Sequence, residues 1–305
     1  MTMTDIKTNS ARAWMLAARP KTLSAAAVPV IMALALAWAD KGGALKPLPA
    51  VLCLLFAFVM QIDANFVNDY FDFAHGIDDE RRLGPKRACA MGWVTPRAMR
   101  WAMAITTLIA GIVGLPLLFY GGWTMVAIGA ACMVFCFLYT LCLSGWAMGD
   151  VLVLIFFGLV PVCATYYLQT LTVNHEVVLA ALACGLVVDT LLMVNNFRDR
   201  DNDKRTGKHT LVVFIGPRAT LILYFALGLV ACHAGLTFFF SGRYFTFFLP
   251  FIYLALHAHA FRQMKRIWQG KSLNLILATT ARNIFIYGLL FSLGVIIDYA
   301  VGWWN

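Results

Sequence analysis

The 305 residues are 61% hydrophobic and only 13% charged, with a mean hydropathy of +0.77. A soluble domain carries about 25% charged residues and cannot bury this much apolar surface, so the composition excludes a soluble globular protein and predicts a polytopic membrane protein. The net charge of +9 arises from basic residues beside apolar segments, which indicates anionic lipid headgroups as the charged partner and no nucleic acid.

Nine apolar segments are long enough to cross a hydrocarbon core of about 30 Å. They lie at about 22–38, 50–68, 99–119, 123–141, 149–169, 176–196, 218–240, 244–261 and 283–301. If the N-terminus is cytoplasmic, all Lys and Arg residues except Lys41, Lys46 and Arg243 fall on the cytoplasmic side. Since nine is odd, the C-terminus is then expected outside. A short interfacial helix is predicted before the first span, at 11–18.

The second span ends in an acidic motif, Asn-Asp-Tyr-Phe-Asp at 68–72. Asn65, Asn68 and Asp72 recur at steps of three and four, which places them on one helical face. Asp63 lies nearly opposite that face, so we expect it to make a hydrogen bond to a neighbouring helix. Oxygen ligands at i, i+4 spacing can share a hard cation such as Mg²⁺, although one such motif alone is equally typical of a solvated helix end.

Spans three to five carry few ionisable residues. Thr95 and Pro96 are predicted to cap the third span, Tyr139 lies near the end of the fourth, and Asp150 opens the fifth after a glycine. Aromatic residues in the fifth span are typical of packing or of an interfacial belt, and they also suit the wall of a tunnel for a long apolar chain.

The sixth span ends in a longer acidic motif at 195–203. Asp189, Asn196 and Asp203 recur at steps of seven on one helical face, and Asp199 lies one turn from Asp203. An intramembrane acid is expensive and tends to be functional, so we expect Asp189 to face a polar cavity.

The order of span, acidic end, charged loop and proline-started span occurs twice. The two motifs are 127 residues apart, and Pro96 and Pro217, the latter predicted to open span seven after Gly216, are 121 apart. We interpret the chain as one all-α transmembrane domain, residues 1–305, built from two four-helix pseudo-repeats and an extra helix. These units lie at about 19–141, 149–262 and 283–301.

Two carboxylate clusters at one membrane face, surrounded by cations, suit a diphosphate bridged through Mg²⁺. Departure of diphosphate from a polyprenyl chain leaves an allylic carbocation, which a dry aromatic cavity protects from water. A transporter is the alternative of another class. However, an even-numbered repeat keeps its orientation, and the acids crowd one face instead of the midplane. A passive lipid-binding or scaffold protein leaves the paired motifs unexplained.

The sequence resembles the UbiA-type intramembrane aromatic prenyltransferases, and within them the 1,4-dihydroxy-2-naphthoate polyprenyltransferases of menaquinone biosynthesis. The resemblance covers residues 19–216. It is carried by Arg19-Pro20-Lys21-Thr22-Leu23, the motif at 68–72 with Gly76-Ile77-Asp78, Gly84-Pro85-Lys86-Arg87, Gly149-Asp150 with Phe157-Gly158, and the motif at 195–203 with Gly207-Lys208 and Thr210-Leu211.

The resemblance implies transfer of a polyprenyl group from polyprenyl diphosphate to the naphthoate carbon that bears the carboxylate. Carbon dioxide and diphosphate are lost, demethylmenaquinone is formed, and Mg²⁺ is the cofactor. We expect a bacterial inner membrane location, and the distribution of basic residues places the N-terminus and the active-site loops in the cytoplasm and the C-terminus outside. Other aromatic acceptors (4-hydroxybenzoate, homogentisate or a tetrapyrrole), the prenyl chain length and the oligomeric state stay open.

The residues that would carry this chemistry come from both motifs and the loops that follow them. The candidate catalytic and metal-binding residues are Asn68, Asp72, Asp199 and Asp203. Further candidate metal ligands are Asp69 and Asp78. Candidate substrate-binding residues are Lys21, Arg87, Tyr139, Asn196, Arg198 and Lys208. Many relatives place an acid where this chain has Gly76, so Asp78 could ligate the metal or only brace its loop.

Overall fold

The computed structural model describes residues 6–76, 83–141 and 147–304. These residues are helical and contain no strand, and nine of the helices are long and apolar enough to span a membrane, as predicted. A short helix, α1 (Ala11–Ala18), precedes them. The spanning helices are α2 (Leu23–Asp40), α3 (Pro47–Ala74), α4 (Pro96–Gly121), α5 (Trp123–Leu141), α6 (Gly149–Thr170), α7 (His175–Thr206), α8 (Leu211–Phe240), α9 (Tyr244–Ile267) and α10 (Leu273–Ala300).

The helices that end in acidic motifs run further than their apolar segments. We predicted ends near 68 and 196, whereas α3 continues to Ala74 and α7 to Thr206. The polar side chains of each motif are spaced so that they fall on one face of a continuing helix. Both helices therefore extend past their apolar segments and carry the carboxylates with them. Likewise, α10 begins at Leu273, ten residues before the predicted start.

Span seven has one helical segment more than predicted, ahead of its predicted start at Pro217. Helix α8 begins at Leu211, where the Thr210 hydroxyl accepts a hydrogen bond from the Val213 amide at 3.4 Å. Gly216 has a non-helical backbone, with φ 80° and ψ 165°, which kinks α8, and the second helical segment of α8 opens at Pro217 as predicted. Glycine followed by proline can therefore mark a kink as well as a start. The Thr95 cap of α4 is confirmed, because its side chain accepts from the Ala98 amide.

Helices α6 and α7 pack closely enough for their backbones to touch. A Cβ atom at Gly158 of α6 would lie 2.5 Å from the Ala181 carbonyl oxygen and 2.8 Å from the Gly185 Cα of α7. Gly158 lies in a π-helical turn, Ile155–Leu159, at the contact. This contact fixes the position of α6 along α7, with Gly158 beside Ala181 and Gly185.

The two ends of the bundle are held by separate polar networks. At the motif end, the Asn9 amide donates to the Trp93 carbonyl at 2.8 Å, which ties the N-terminal arm to the loop before α4. At the opposite end, Asp40 accepts hydrogen bonds from Tyr166 and Trp304, and Arg243 pairs with Glu176. The N-terminus thus lies at the motif end and the C-terminus at the other.

Candidate active site

The end of α3 is fastened to the loop that follows it. Both oxygens of Asp69 accept backbone hydrogen bonds, from the Ala88 and Cys89 amides, at 2.8 Å each. Arg19 lies 3.8 Å from the same carboxylate, which is only 1% exposed. Asp69 therefore holds the loop and the N-terminal arm against the helix.

The remaining polar residues of this helix end have different partners. Asp72 forms a buried ion pair with Arg87, at 2.7 Å between carboxylate and guanidinium. The Asn68 amide oxygen accepts a hydrogen bond from the Thr140 hydroxyl of α5 at 2.7 Å. Asp72 and Arg87 come together because Asp69 holds the loop that carries the arginine.

The end of α7 is organised around Arg198, which is 1% exposed. Its guanidinium binds both oxygens of Asp199, at 2.8 and 2.6 Å, and donates to the side-chain oxygens of Asn195 and Asn274. Asn274, at the start of α10, in turn donates to the Leu83 carbonyl at 2.8 Å. Arg198 thus links α7, α10 and the loop after α3, and it fixes the orientation of Asp199.

Both acidic helix ends line one cavity of about 430 Å³, including the space open to solvent, which we call the outer cavity. Its lining residues are Asp72, Leu83, Arg87, Asn195, Asn196, Asp199, Asn202, Asp203 and Lys208. Three carboxylates from two helices therefore face two cations and several amide oxygens.

A second cavity, of about 220 Å³ including the space open to solvent, adjoins the first, and we call it the inner cavity. It is lined by Tyr139, Ala147, Gly149, Asp150, Asn196, Lys208, Thr210 and Leu211. Asn196 and Lys208 line both cavities. Lys208 reaches this position because Gly207 ends α7 at a φ of 75°, and the Lys208 amide then donates back to the Asp203 carbonyl at 2.8 Å.

The structure places most of the predicted site residues together, although in different roles. Asp72, Asp199, Asp203, Arg87, Asn196 and Lys208 line the outer cavity, and Tyr139 lines the inner one. Lys21 is exposed and lines neither cavity, and Arg198 is buried behind Asp199. Asn68 lies on the same helix end but binds Thr140. Asp78 lies outside the described residues.

Several contributors were not expected from the sequence. Asn202 belongs to the second motif, but it does not share the four-residue spacing that relates Asp199 to Asp203, so it was not a candidate. Asn274 and Leu83 meet Arg198 from segments with no motif at all, so only the tertiary structure could find them. Asp150 was predicted to open a span and lies in a stretch that carries the family resemblance, but it was not among the candidate site residues.

Of the predictions for the two intramembrane acids, the one for Asp63 is confirmed, whereas Asp189 was expected to face a polar cavity and lines neither of the two cavities. Asp63 accepts hydrogen bonds from the Thr106 and Thr107 hydroxyls of α4, at 2.5 and 2.8 Å, which confirms the predicted link between helices. Asp189 is 5% exposed and does not itself line the inner cavity, but it interacts electrostatically with Asp150, which does.

The donor set of the outer cavity suits a divalent cation and a phosphate ligand. The described residues contain no ready-made group of three His, Cys, Asp or Glu side chains around a common metal position. Carboxylate and amide oxygens nevertheless converge with Arg87 and Lys208, and Mg²⁺ commonly takes one or two protein carboxylates together with phosphate oxygens and water. A diphosphate would thus complete the coordination that the protein alone does not.

Comparison with known proteins identifies the family. The UbiA prenyltransferase family matches residues 26–289. The chain belongs to this family. It is 33% identical to the 1,4-dihydroxy-2-naphthoate octaprenyltransferase of Haemophilus influenzae over 303 residues, which cover 93% of this chain and 96% of that protein. It is 35% identical to the Escherichia coli protein of the same name over 223 residues, or 70% of this chain and 72% of that one.

Solved structures of the family share its fold. A UbiA homologue from Archaeoglobus fulgidus, bound to DMAPP and Mg²⁺, superposes with a TM-score of 0.65 at 16% identity, over 94% of this chain and 99% of that one. The apo structure of a UbiA homologue from Aeropyrum pernix gives 0.64 at 14% identity, over 91% and 97%. This member of the UbiA family is therefore an integral membrane protein with the family's helical fold.

Proposed function

We propose that this protein transfers a polyprenyl group from polyprenyl diphosphate to 1,4-dihydroxy-2-naphthoate, with loss of CO₂ and diphosphate, in a reaction that depends on Mg²⁺. The observation that carries the proposal is the outer cavity, where carboxylates from both acidic helix ends face Arg87 and Lys208. Relatives at 33–36% identity are named as octaprenyltransferases for this acceptor, which supports the same acceptor here.

In this proposal Asp72, Asp199 and Asp203 hold Mg²⁺ with the diphosphate, and nearby asparagine amides supply further oxygens. When bound, Mg²⁺ neutralises negative charge on the departing diphosphate. Arg87 and Lys208 provide positive charge from the protein at the same place, and because the cavity is partly closed to water these charges act strongly.

The remaining candidates of the motifs take supporting roles. Asp69 has both oxygens committed to backbone amides, so we assign it to holding the loop and not to metal binding. Arg198 is saturated by Asp199, Asn195 and Asn274, and we assign it to orienting Asp199. Asn68 is assigned to the junction between α3 and α5.

The proposal is tested with purified protein, 1,4-dihydroxy-2-naphthoate, a polyprenyl diphosphate and Mg²⁺, with products identified by mass spectrometry. We expect a product that has gained the prenyl group and lost CO₂, no turnover in EDTA, and recovery when Mg²⁺ is restored. Donors of graded length establish the chain length. Undiminished turnover in EDTA, or faster transfer to 4-hydroxybenzoate or homogentisate, would contradict the proposal.

A further inference from the structure

The inner cavity contains acidic groups that the diphosphate chemistry does not use. Both carboxylate oxygens of Asp150 are buried, and neither has a hydrogen-bond partner in another residue of the described chain. Asp189 is 5% exposed, and its Oδ1 likewise has no partner within residues 6–76, 83–141 and 147–304. The two carboxyl groups interact electrostatically with each other.

Tyr139 lines the inner cavity together with Asp150. A Cβ atom at Gly149 would lie 3.7 Å from the Tyr139 hydroxyl oxygen, so the start of α6 packs directly against the ring. The inner cavity is thus a polar chamber joined to the diphosphate-binding region through Asn196 and Lys208.

The lack of donors sets this pair apart from the other buried acids. Asp63 is satisfied by two threonine hydroxyls, and Asp298 by the Phe245 and Thr246 amides and the Thr246 hydroxyl. A buried polar group without a partner costs free energy, and an intramembrane carboxylate costs more. A pair of this kind is expected where a ligand supplies the missing hydrogen-bond donors.

We propose that Asp150, supported by Asp189, binds a ring hydroxyl of the aromatic acceptor and takes its proton during prenyl transfer. This inference rests on the proposed function. The shared lining points to the aromatic acceptor as the ligand: Lys208 lies at both the diphosphate region and the inner cavity, and Asp150 in that cavity can accept from a ring hydroxyl of an acceptor that reaches it. The ring then lies beside the diphosphate that Asp72 and Asp203 hold.

The step balances without another reactant. The bond between the allylic carbon and the diphosphate oxygen breaks, and the diphosphate leaves with its electron pair. The ring carbon that bears the carboxylate forms the new carbon–carbon bond while the hydroxyl proton moves to Asp150, which leaves a ring ketone. Loss of CO₂ returns an electron pair to the ring, and the proton returns from Asp150 to the oxygen to restore the hydroxyl.

The test uses Asp150→Asn and Asp189→Asn in the full-length protein, with three measurements on each. For Asp150→Asn we expect kcat for dihydroxynaphthoate to fall about 100-fold to 10,000-fold, since a general base contributes this much. We expect Mg²⁺-dependent binding of farnesyl diphosphate, measured by calorimetry, to stay within twofold. The melting temperature should not fall, because no protein hydrogen bond is lost. Asp189→Asn should show the same pattern with a smaller loss of kcat.

Asp63→Asn is the matched control, as it changes a buried acid whose partners are known. We expect it to lower the melting temperature and to keep kcat. Asp150→Asn with unchanged kcat would overturn the inference, as would a lower melting temperature with proportionally less folded enzyme. A changed Mg²⁺ dependence of donor binding would mark the pair as a cation site and overturn it too. Absence of transfer by the wild-type protein would instead count against the proposed function.

Discussion

Adjacent acids on the end of α7 face different surroundings. Asp199 lines the outer cavity, whereas Asp201 is exposed and accepts a hydrogen bond from Gln269 at 2.8 Å. We expect Asp199→Asn to lower kcat about 100-fold or more, because several kcal/mol of charge stabilisation around the diphosphate depend on the metal ligands. Asp201→Asn removes the same charge two residues away and should stay within threefold. Equal losses in both variants, measured by product formation at saturating Mg²⁺, would contradict the assignment.

Gly84 lies against the buried guanidinium of Arg198. A Cβ atom there would be 2.5 Å from Nη2, and the arginine cannot move aside because Asp199, Asn195 and Asn274 all bind it. We expect Gly84→Ala to destabilise the fold by about 1–3 kcal/mol, as overpacking does, and to lower activity by displacing Asp199. Thermal unfolding in detergent measures the first effect.

Gly111→Ala is the control for that substitution, since a Cβ atom at Gly111 meets nothing within 4 Å in α4. It should leave stability unchanged or raise it by about 0.5–1 kcal/mol through helix propensity. An unaltered melting temperature for Gly84→Ala would show that the loop and Arg198 are not packed as described.

Periodicity found the cavity-lining acids but could not assign every partner. Asp72 repeats at helical spacing with the asparagines of α3, and Asp203 repeats with Asp199 and Asn196 on α7, so the sequence predicted a polar helix end on each helix and a shared function. In the sequence, Arg198 looks like a cation that binds substrate. In the structure it is held by Asn274, which is 76 residues further along the chain, at the start of α10. Roles set by such distant contacts leave no spacing pattern in the sequence.

At the scale of helices, hydropathy located all nine spans found among the described residues but not their ends. The length of an apolar segment reflects the thickness of the hydrocarbon core, whereas a helix ends where its backbone hydrogen bonds end. Helices α3, α7 and α10 therefore run well beyond their apolar segments. Helix α8 shows a second limit, since Gly216 and Pro217 marked the start of its second segment but gave no sign of the segment that begins at Leu211. The predicted four-helix duplication stays a prediction.

The contact between α6 and α7 gives an element-scale prediction. Gly158→Ala would place a Cβ atom 2.5 Å from the Ala181 carbonyl oxygen, and backbone atoms cannot yield as a flexible side chain can. We expect a loss of about 3 kcal/mol from overpacking, together with lower activity because Asp150 and Asp189 move apart. Gly129→Ala in α5, where the nearest atom is 4.0 Å away, should not lower the melting temperature. Similar melting temperatures for the two variants would contradict this packing.

At the scale of the whole molecule, the helical bundle has two chemically different ends, and the distribution of Lys and Arg in the sequence predicted this difference. The N-terminal arm, the loop before α4 and both acidic helix ends lie together, and the C-terminal Trp304 lies beside Asp40 at the far end. The basic residues concentrate at the motif end, and loops rich in Lys and Arg stay in the cytoplasm. We therefore propose that the outer cavity opens to the cytoplasm, the compartment from which a water-soluble aromatic acid would enter.

Cysteine accessibility tests this orientation. In a variant with all eight native cysteines replaced, Lys41→Cys and Lys204→Cys place single exposed thiols at opposite ends of the bundle. A membrane-impermeant maleimide added to intact cells should label Lys41→Cys at once, and Lys204→Cys only after the inner membrane is permeabilised. Both variants should keep prenyltransferase activity, which shows that they are inserted and folded. The reverse labelling pattern would place the outer cavity on the outer side of the membrane. It would also put 21 of the 24 basic residues on that side, which contradicts the rule that Lys and Arg concentrate in cytoplasmic loops.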